Sequence, residues 1–225
     1  MAEDKCFAVL TGDLIKSGEL AKDELDDVRS SLIKRSRVAG RWKRGLVKGE
    51  LEFFRGDSWQ MLLGRPELAM RAAVYLRASL IASGKADSRV SIGLGSIDNI
   101  SKKNLLTSTG EAFSLSGHGL DELTGYSEMT IKISRSSGPL FEWLPVVANL
   151  CNSLIKQWTQ RQAEVITFAA DPEEPTHEEI AGKLTPAVTK QAVSKILNGA
   201  NWHALRKVIN QFEKMNWDAA LRDKD

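Results

Sequence analysis

Apolar positions fall in short strand-like runs and helical stripes in the first part of this chain, and become helical throughout after about residue 140. Cys6–Thr11 (CFAVLT) is a short apolar run closed by Gly12-Asp13, which predicts a buried strand. Ser17–Arg37 sets Leu20, Leu25, Val28, Leu32 and Ile33 on one face with charges between them, which predicts an amphipathic helix. Arg37–Lys48 is basic and glycine-containing, hence a loop. Leu46–Arg55 and Ser58–Leu63 flank Gly56-Asp57, a hairpin signal because Asp and Gly tolerate the turn's backbone angles. Pro66 stands where a helix can begin, with Leu68, Ala72, Leu76 and Leu80 as its apolar face. Ser88–Ile97 predicts a strand, Gly110–Leu123 a helix of small residues and Met129–Ile133 a last short strand.

Leu140–Ala169 predicts one long helix with an apolar stripe of Trp143, Val147, Leu150, Leu154 and Trp158. That helix could join two domains or pair with its copy in a homodimer. After the break ADPEEP, Thr176 and Glu179 form a capping box, each accepting from the other's backbone N–H. Helices follow at about 177–183, 189–198 and 202–215, and NWDAALRDKD reads as a frayed tail. The order β-α-β-β-α-β, then α and β, then helices predicts an α+β fold with a ferredoxin-like sheet. The predicted division is an α/β domain over 1–138, a connecting helix over 139–170 and an all-α domain over 171–225.

Composition narrows the picture modestly. A net charge of +2 gives no global polyanion-binding signature. Two cysteines, Cys6 and Cys151, are too few and too far apart for a disulfide framework or a zinc site. No apolar stretch approaches the roughly 18 residues a membrane span needs, and no signal-like apolar region follows the start. The expectation is a cytoplasmic protein without a membrane partner.

Topology gives the Gly-Asp motifs a possible shared role. In a ferredoxin-like sheet the first two strands run parallel through a right-handed crossover, with the third antiparallel between them. The end of the first strand and the second–third turn then lie on one edge, so Asp13 and Asp57 would converge. Two carboxylates with water and phosphate oxygens suit Mg²⁺. Either motif taken alone is also an ordinary turn. Lys16 and Ser17 follow Asp13 at a predicted helix start, where anions are favoured; a plain serine cap beside a solvated lysine fits as well.

The segments AVLTGDLIKSG, FFRGDSWQMLL, RVSIGLGSID and TGEAFSLSGHGLDEL, in that order, resemble class III nucleotide cyclase palm domains. They resemble still more closely the SatD-like family, which joins such a domain to a C-terminal helix-turn-helix. The resemblance implies a palm fold, Asp13 and Asp57 as metal-binding aspartates, and Leu14, Ile15, Lys16 and Ser17 as the segment that wraps nucleotide phosphates. The cyclase helix carries an Asn and, four residues on, an Arg. Aligned on Gly110, those places hold Ser114 and His118, the candidate catalytic residues. Histidine lacks arginine's two-pronged donor geometry, and phosphoryl transfer depends on charge stabilisation. The base-selecting position three residues before the second Gly-Asp holds Phe53.

THEEIAGKLTPAVTKQAVSKIL resembles the helix-turn-helix of bacterial regulators. Ile180, Ala181, Leu184, Val188, Ala192, Val193 and Leu197 would pack inward. Thr189, Lys190, Gln191, Ser194 and Lys195 would face the DNA major groove. The stretch from Leu184 to Thr189 is about two residues longer than the usual turn of that motif. Two functions follow: a nucleotide-responsive DNA-binding transcriptional regulator, or a Mg²⁺-dependent nucleotidyl transferase or cyclase with an accessory helical domain. A third possibility is an interaction protein with a degenerate palm.

Overall fold

The computed structural model describes residues 5–101, 104–134 and 137–221. Among them lie strands β1 (Phe7–Leu14), β2 (Glu52–Phe54), β3 (Ser58–Leu63), β4 (Ser88–Gly95) and β5 (Met129–Lys132). They form one five-stranded sheet in the order β2-β3-β1-β4-β5. β1 pairs antiparallel with both β3 and β4, β2 pairs antiparallel with β3, and β5 adds parallel to β4. The first four strands therefore have the predicted ferredoxin-like arrangement, and the fold is α+β.

Helices α1 (Lys22–Gly40) and α2 (Ala69–Ser83) make the two crossovers, and α3 (Glu111–Asp121) connects β4 to β5. Strand alternation sorts the sheet's faces. Leu10, Trp59, Met61 and Ile92 belong to the large core that includes α1 and α2, while Val9 and Leu62 pack with Ala112 of α3. α3 lies so close to the sheet that a Cβ on Gly93 would sit 2.3 Å from the Ala112 carbonyl oxygen. That close approach is the role expected of a lone strand glycine.

α2 departs most from its predicted pattern. A one-sided helix was expected, yet every residue from Ala69 to Leu80 is buried, including Arg71 and Arg77. The sheet covers one side. The other is covered by α5 (Gln160–Ala169) and α8 (Trp202–Lys214), so a single core runs from the sheet through α2 into the C-terminal helices. Both buried guanidiniums have partners, as buried charge requires. Arg71 binds the Glu213 carboxylate and the Ala170 carbonyl oxygen. Arg77 meets Asp87 through two nitrogens, Asn152 Oδ1 at 2.6 Å and Glu128 Oε2 at 3.0 Å.

Several predicted boundaries shift. The first helix is a 3-10 turn (Ser17–Glu19) and then α1, and of Leu46–Arg55 only Glu52–Phe54 is strand, with Val47 bridging Leu63. The single helix over 140–169 is two, α4 (Pro139–Ile155) and α5. Thr159 and Gln162 form a capping box that starts α5 afresh, and Trp158 turns inward to donate from Nε1 to the Ala200 carbonyl at 2.9 Å. The predicted apolar stripe is displaced too. α4 buries Leu144, Ala148, Cys151 and Ile155, while Trp143 and Leu150 are each 64% exposed. The tail expected to fray instead forms α9 (Trp217–Ala220), with Trp217 buried and Asp218 Oδ1 accepting from the Cys6 N–H at 2.7 Å. Residues 222–225 of that predicted tail lie outside the described residues.

α6 (His177–Lys183) and α7 (Lys190–Gly199) complete the C-terminal helices. The Thr176–Glu179 capping box is present, and Ile180, Ala181, Leu184, Val193 and Leu197 are buried as expected. Among the described residues no helix is long and apolar enough to cross a membrane.

Replacing Arg77 with Leu should lower unfolding stability by about 3 kcal/mol or more, because Asp87, Glu128 and Asn152 lose their shared partner. Urea denaturation followed by circular dichroism would read this, and a loss below about 1 kcal/mol, the scale of an exposed pair, would contradict it.

Candidate functional site

Asp13 lies within β1 rather than after it, directly opposite Arg89 of β4 and Ser58 of β3. Asp57 closes the β2–β3 turn, and its carbonyl accepts from the Leu14 N–H at 3.2 Å. The first strand and the hairpin turn thus meet at one sheet edge, as the topology requires. Both aspartates line a cavity of about 390 Å³ together with Leu14, Ile15, Lys16, Ser17 and Arg89. Gly125, Ser127 and Glu128 form its far wall.

The two glycines serve different ends. Gly56 has φ +92°, a turn conformation that side chains resist. Gly12 is extended strand, and its constraint is space: a Cβ there would lie 2.6 Å from both the Trp59 ring and the Arg89 carbonyl oxygen. Trp59 fills the core beneath the site and donates from Nε1 to Ser88 Oγ at 2.9 Å. Gln60, on the opposite face, donates to Thr11 Oγ1 at 3.1 Å and lines a neighbouring cavity with Asp13, Arg55 and Arg89.

Each carboxylate has a protein partner. Arg89 grips both oxygens of Asp13 through Nε and a terminal nitrogen. Its hydrogen bonds to the Asp13 carboxylate hold the Arg89 guanidinium more firmly protonated than usual, with Asp57 and Asp121 adding to the effect. Ser17 donates to Asp57 Oδ2 at 2.5 Å, so it does not act as a helix cap. Lys16 has a left-handed backbone (φ 60°) and is exposed beside Glu19 at 3.6 Å. The Ile15 N–H is used by the Asp87 carbonyl at 2.9 Å. Arg29 of α1 donates to the Gly56 carbonyl and lies 5.8 Å from the Phe53 ring centroid, which fixes the hairpin turn that carries Asp57.

Ser114 and His118 are exposed on α3 and line neither cavity that contains Asp13. The face of α3 that reaches the second cavity carries Gly117, Leu120 and Asp121. The Ser114 hydroxyl is 3.5 Å from the Gly110 carbonyl of its own helix. In the C-terminal part Thr189 caps α7 by accepting from the Ala192 N–H at 3.2 Å. Lys190, Gln191 and Lys195 are exposed and Ser194 is half-buried.

Sequence reasoning missed Arg89, Arg29 and Glu128. Arg89 follows from strand register: any residue paired with Asp13 on that face becomes a site residue. Tyr126, 94% exposed between two cavity-lining residues, also escaped notice.

Among the described residues no group of three or more His, Cys, Asp or Glu side chains could hold a metal ion unaided. Mg²⁺ commonly takes only one or two carboxylates and completes its shell with water and substrate phosphates. Asp13 and Asp57 are hard-oxygen donors that would fit such an ion if Asp13 exchanged Arg89 for it.

No protein-family model matches the chain, and no curated protein does. Among solved structures it is similar to the guanylyl cyclase Cya2, with 19% identity and a TM-score of 0.42 over 56% of this chain and 74% of that one. That likeness is too slight to bear on function.

Neither cysteine belongs to the site. Burial, helped by nearby Asp218, pushes the Cys6 thiol up to about 12, and burial pushes Cys151 up to about 11. Both should resist a thiol-specific disulfide reagent at about pH 8, where only about one molecule in a thousand or fewer carries either thiolate, and react at once in denaturant. Rapid labelling of the folded chain would show that the thiols are not held in the core.

Proposed function

We propose that the chain binds a nucleotide with Mg²⁺ at the Asp13–Asp57 edge and contacts DNA through α7, acting as a nucleotide-responsive transcriptional regulator. The observation that carries the nucleotide half is the placing of two carboxylates, one from β1 and one from the β2–β3 turn, in one cavity with the Lys16–Ser17 turn. Lys16 and Ser17 offer an ammonium and a hydroxyl to phosphate oxygens. Asp13 and Asp57 would hold the ion, which supplies charge neutralisation for the phosphates when bound. Arg89, freed from Asp13, then presents its fork-shaped donor to the same phosphates.

The DNA half is supported by the capped helix α7, whose exposed Gln191 and Lys195 stand opposite the buried Val193 and Leu197, with exposed Lys190 in its first turn. Such side chains can meet base edges and backbone phosphates. The regulator reading ranks above catalysis because Ser114 and His118 offer no guanidinium and lie outside the cavity. Arg89 favours a second reading, a Mg²⁺-dependent nucleotidyl transferase or cyclase, since it brings into the cavity the cation that α3 lacks.

Calorimetric titration with each nucleoside triphosphate should give Mg²⁺-dependent binding that weakens at least about tenfold in Asp57→Asn, the scale of one lost charge-assisted contact. Binding indifferent to both Mg²⁺ and the substitution would remove the nucleotide site. Pyrophosphate release detected by mass spectrometry, and lost in the same variant, would move the transferase reading to first place. Lys190→Glu with Lys195→Glu should weaken DNA binding and reduce its salt slope by about two; an unchanged gel shift would exclude α7 as the reader.

A further inference from the structure

The chain's cations are unevenly placed. Between Val28 and Gly49 lie eight Lys and Arg residues and no Asp or Glu. With a net charge of +2 for the whole chain, this segment's +8 leaves −6 for everything else. The segment covers the C-terminal part of α1 and the loop that follows. α1 buries Val28, Leu32, Ser36 and Ala39, Lys34 and Arg35 are exposed, and Arg41, Arg44 and Lys48 continue the exposed surface beyond the helix.

Three of the eight cations are engaged: Arg29 in the hairpin contact, Arg37 with Glu50 at 2.9 Å and Lys43 with Glu67 at 3.8 Å. Lys34, Arg35, Arg41, Arg44 and Lys48 form no ion pair among the described residues. A cation in the last helical turn complements the helix dipole, but most of these lie outside that turn. The loop that displays them is ordered. Trp42 packs edge-on against Tyr75 of α2 at 4.9 Å, Leu46 is fully buried, and the Lys48 N–H donates to the Leu62 carbonyl at 2.9 Å. Unpaired like charges repel one another, and a fixed cluster of them favours a polyanionic partner.

We infer that the end of α1 and its following loop form a sequence-independent contact surface for the phosphate backbone of duplex DNA, separate from α7. The patch is a short strip of the chain, whose remainder carries a net charge of −6. A DNA cylinder can follow one helix end and its loop, whereas a flat anionic bilayer would also meet that negative remainder. The strip also lacks side chains to insert into lipid: Val38 is its one large exposed apolar residue, at 40%, and Trp42 is engaged with Tyr75. This inference does not need α7 to read bases.

The full chain should bind a fluorescent duplex of arbitrary sequence at low salt, as measured by anisotropy. Lys34→Glu, Arg35→Glu, Arg41→Glu and Arg44→Glu combined should weaken binding at least about tenfold and make the salt slope shallower by about three to four. The corresponding four Gln substitutions should act in the same direction to a smaller degree, with an unchanged melting curve showing that the fold survives. Parent-like binding by both sets, no duplex binding by the parent at low salt, or binding by the parent to phosphatidylserine vesicles in place of the duplex would each overturn the inference. Loss in Lys190→Glu with Lys195→Glu but not in the patch variants would overturn it and keep the α7 reading. The reverse pattern would keep it and discard that reading.

Discussion

The burial of α2 on all sides is the constraint on which the remaining architecture rests. A helix buried on one face would need only the sheet. One that also buries Arg71 and Arg77 needs further elements carrying carbonyl and carboxylate oxygens. Leaving either guanidinium without partners would cost several kcal/mol, so the C-terminal helices are required by α2 itself. Ala170, Asn210 and Glu213 answer Arg71, and Asn152 of α4 answers Arg77. The N-terminal and C-terminal parts of the chain share this helix as their common interior.

Arg77 also ties that interior to the candidate site. Its partner Asp87 receives the Ile15 N–H on its carbonyl, and its partner Glu128 lines the cavity with Asp13 and Asp57. The loop after β1 and the far wall of the cavity are thereby positioned by one buried side chain that also binds α4. The path from the cavity edge through Arg77 to Asn152 consists of direct contacts. Any ligand that displaced Asp87 or Glu128 would therefore disturb the packing of α4. On the proposed reading, that is a physical route from nucleotide to helical part, and Asn152 is where it enters α4.

Features set by local chemistry were legible in the sequence. Gly56-Asp57 marked the hairpin, the Thr176–Glu179 pair marked the start of α6, and the order of elements was enough to bring Asp13 and Asp57 to one edge. The features that were not legible depend on distant partners. The burial of Arg71 and Arg77 is one of these, because Glu213 is 142 positions from Arg71 and Glu128 is 51 from Arg77. Arg89 became a site residue only through strand register. The break between α4 and α5 is a different case. Its Thr-x-x-Gln capping signature was present but was overridden by an apolar period that continued across it. Trp217 likewise gave a sign that the last helix packs, since an indole in a tail gains by burial.

Two carboxylates brought to one edge repel each other unless positive charge accompanies them. The chain meets this need internally: Arg89 neutralises Asp13, and Ser17 hydrogen-bonds to Asp57. The edge is thus stable without a ligand, and any ion bound there must offer more than the guanidinium it displaces. On the proposed reading, a divalent cation arriving with phosphates would do so on two counts. It brings two positive charges to the carboxylates, and the phosphates give the displaced guanidinium a new anionic partner. A bare ion offers only the first. On this charge balance metal and phosphate would bind better together than apart, the coupling coming from an arginine that the antiparallel register sets opposite the aspartate.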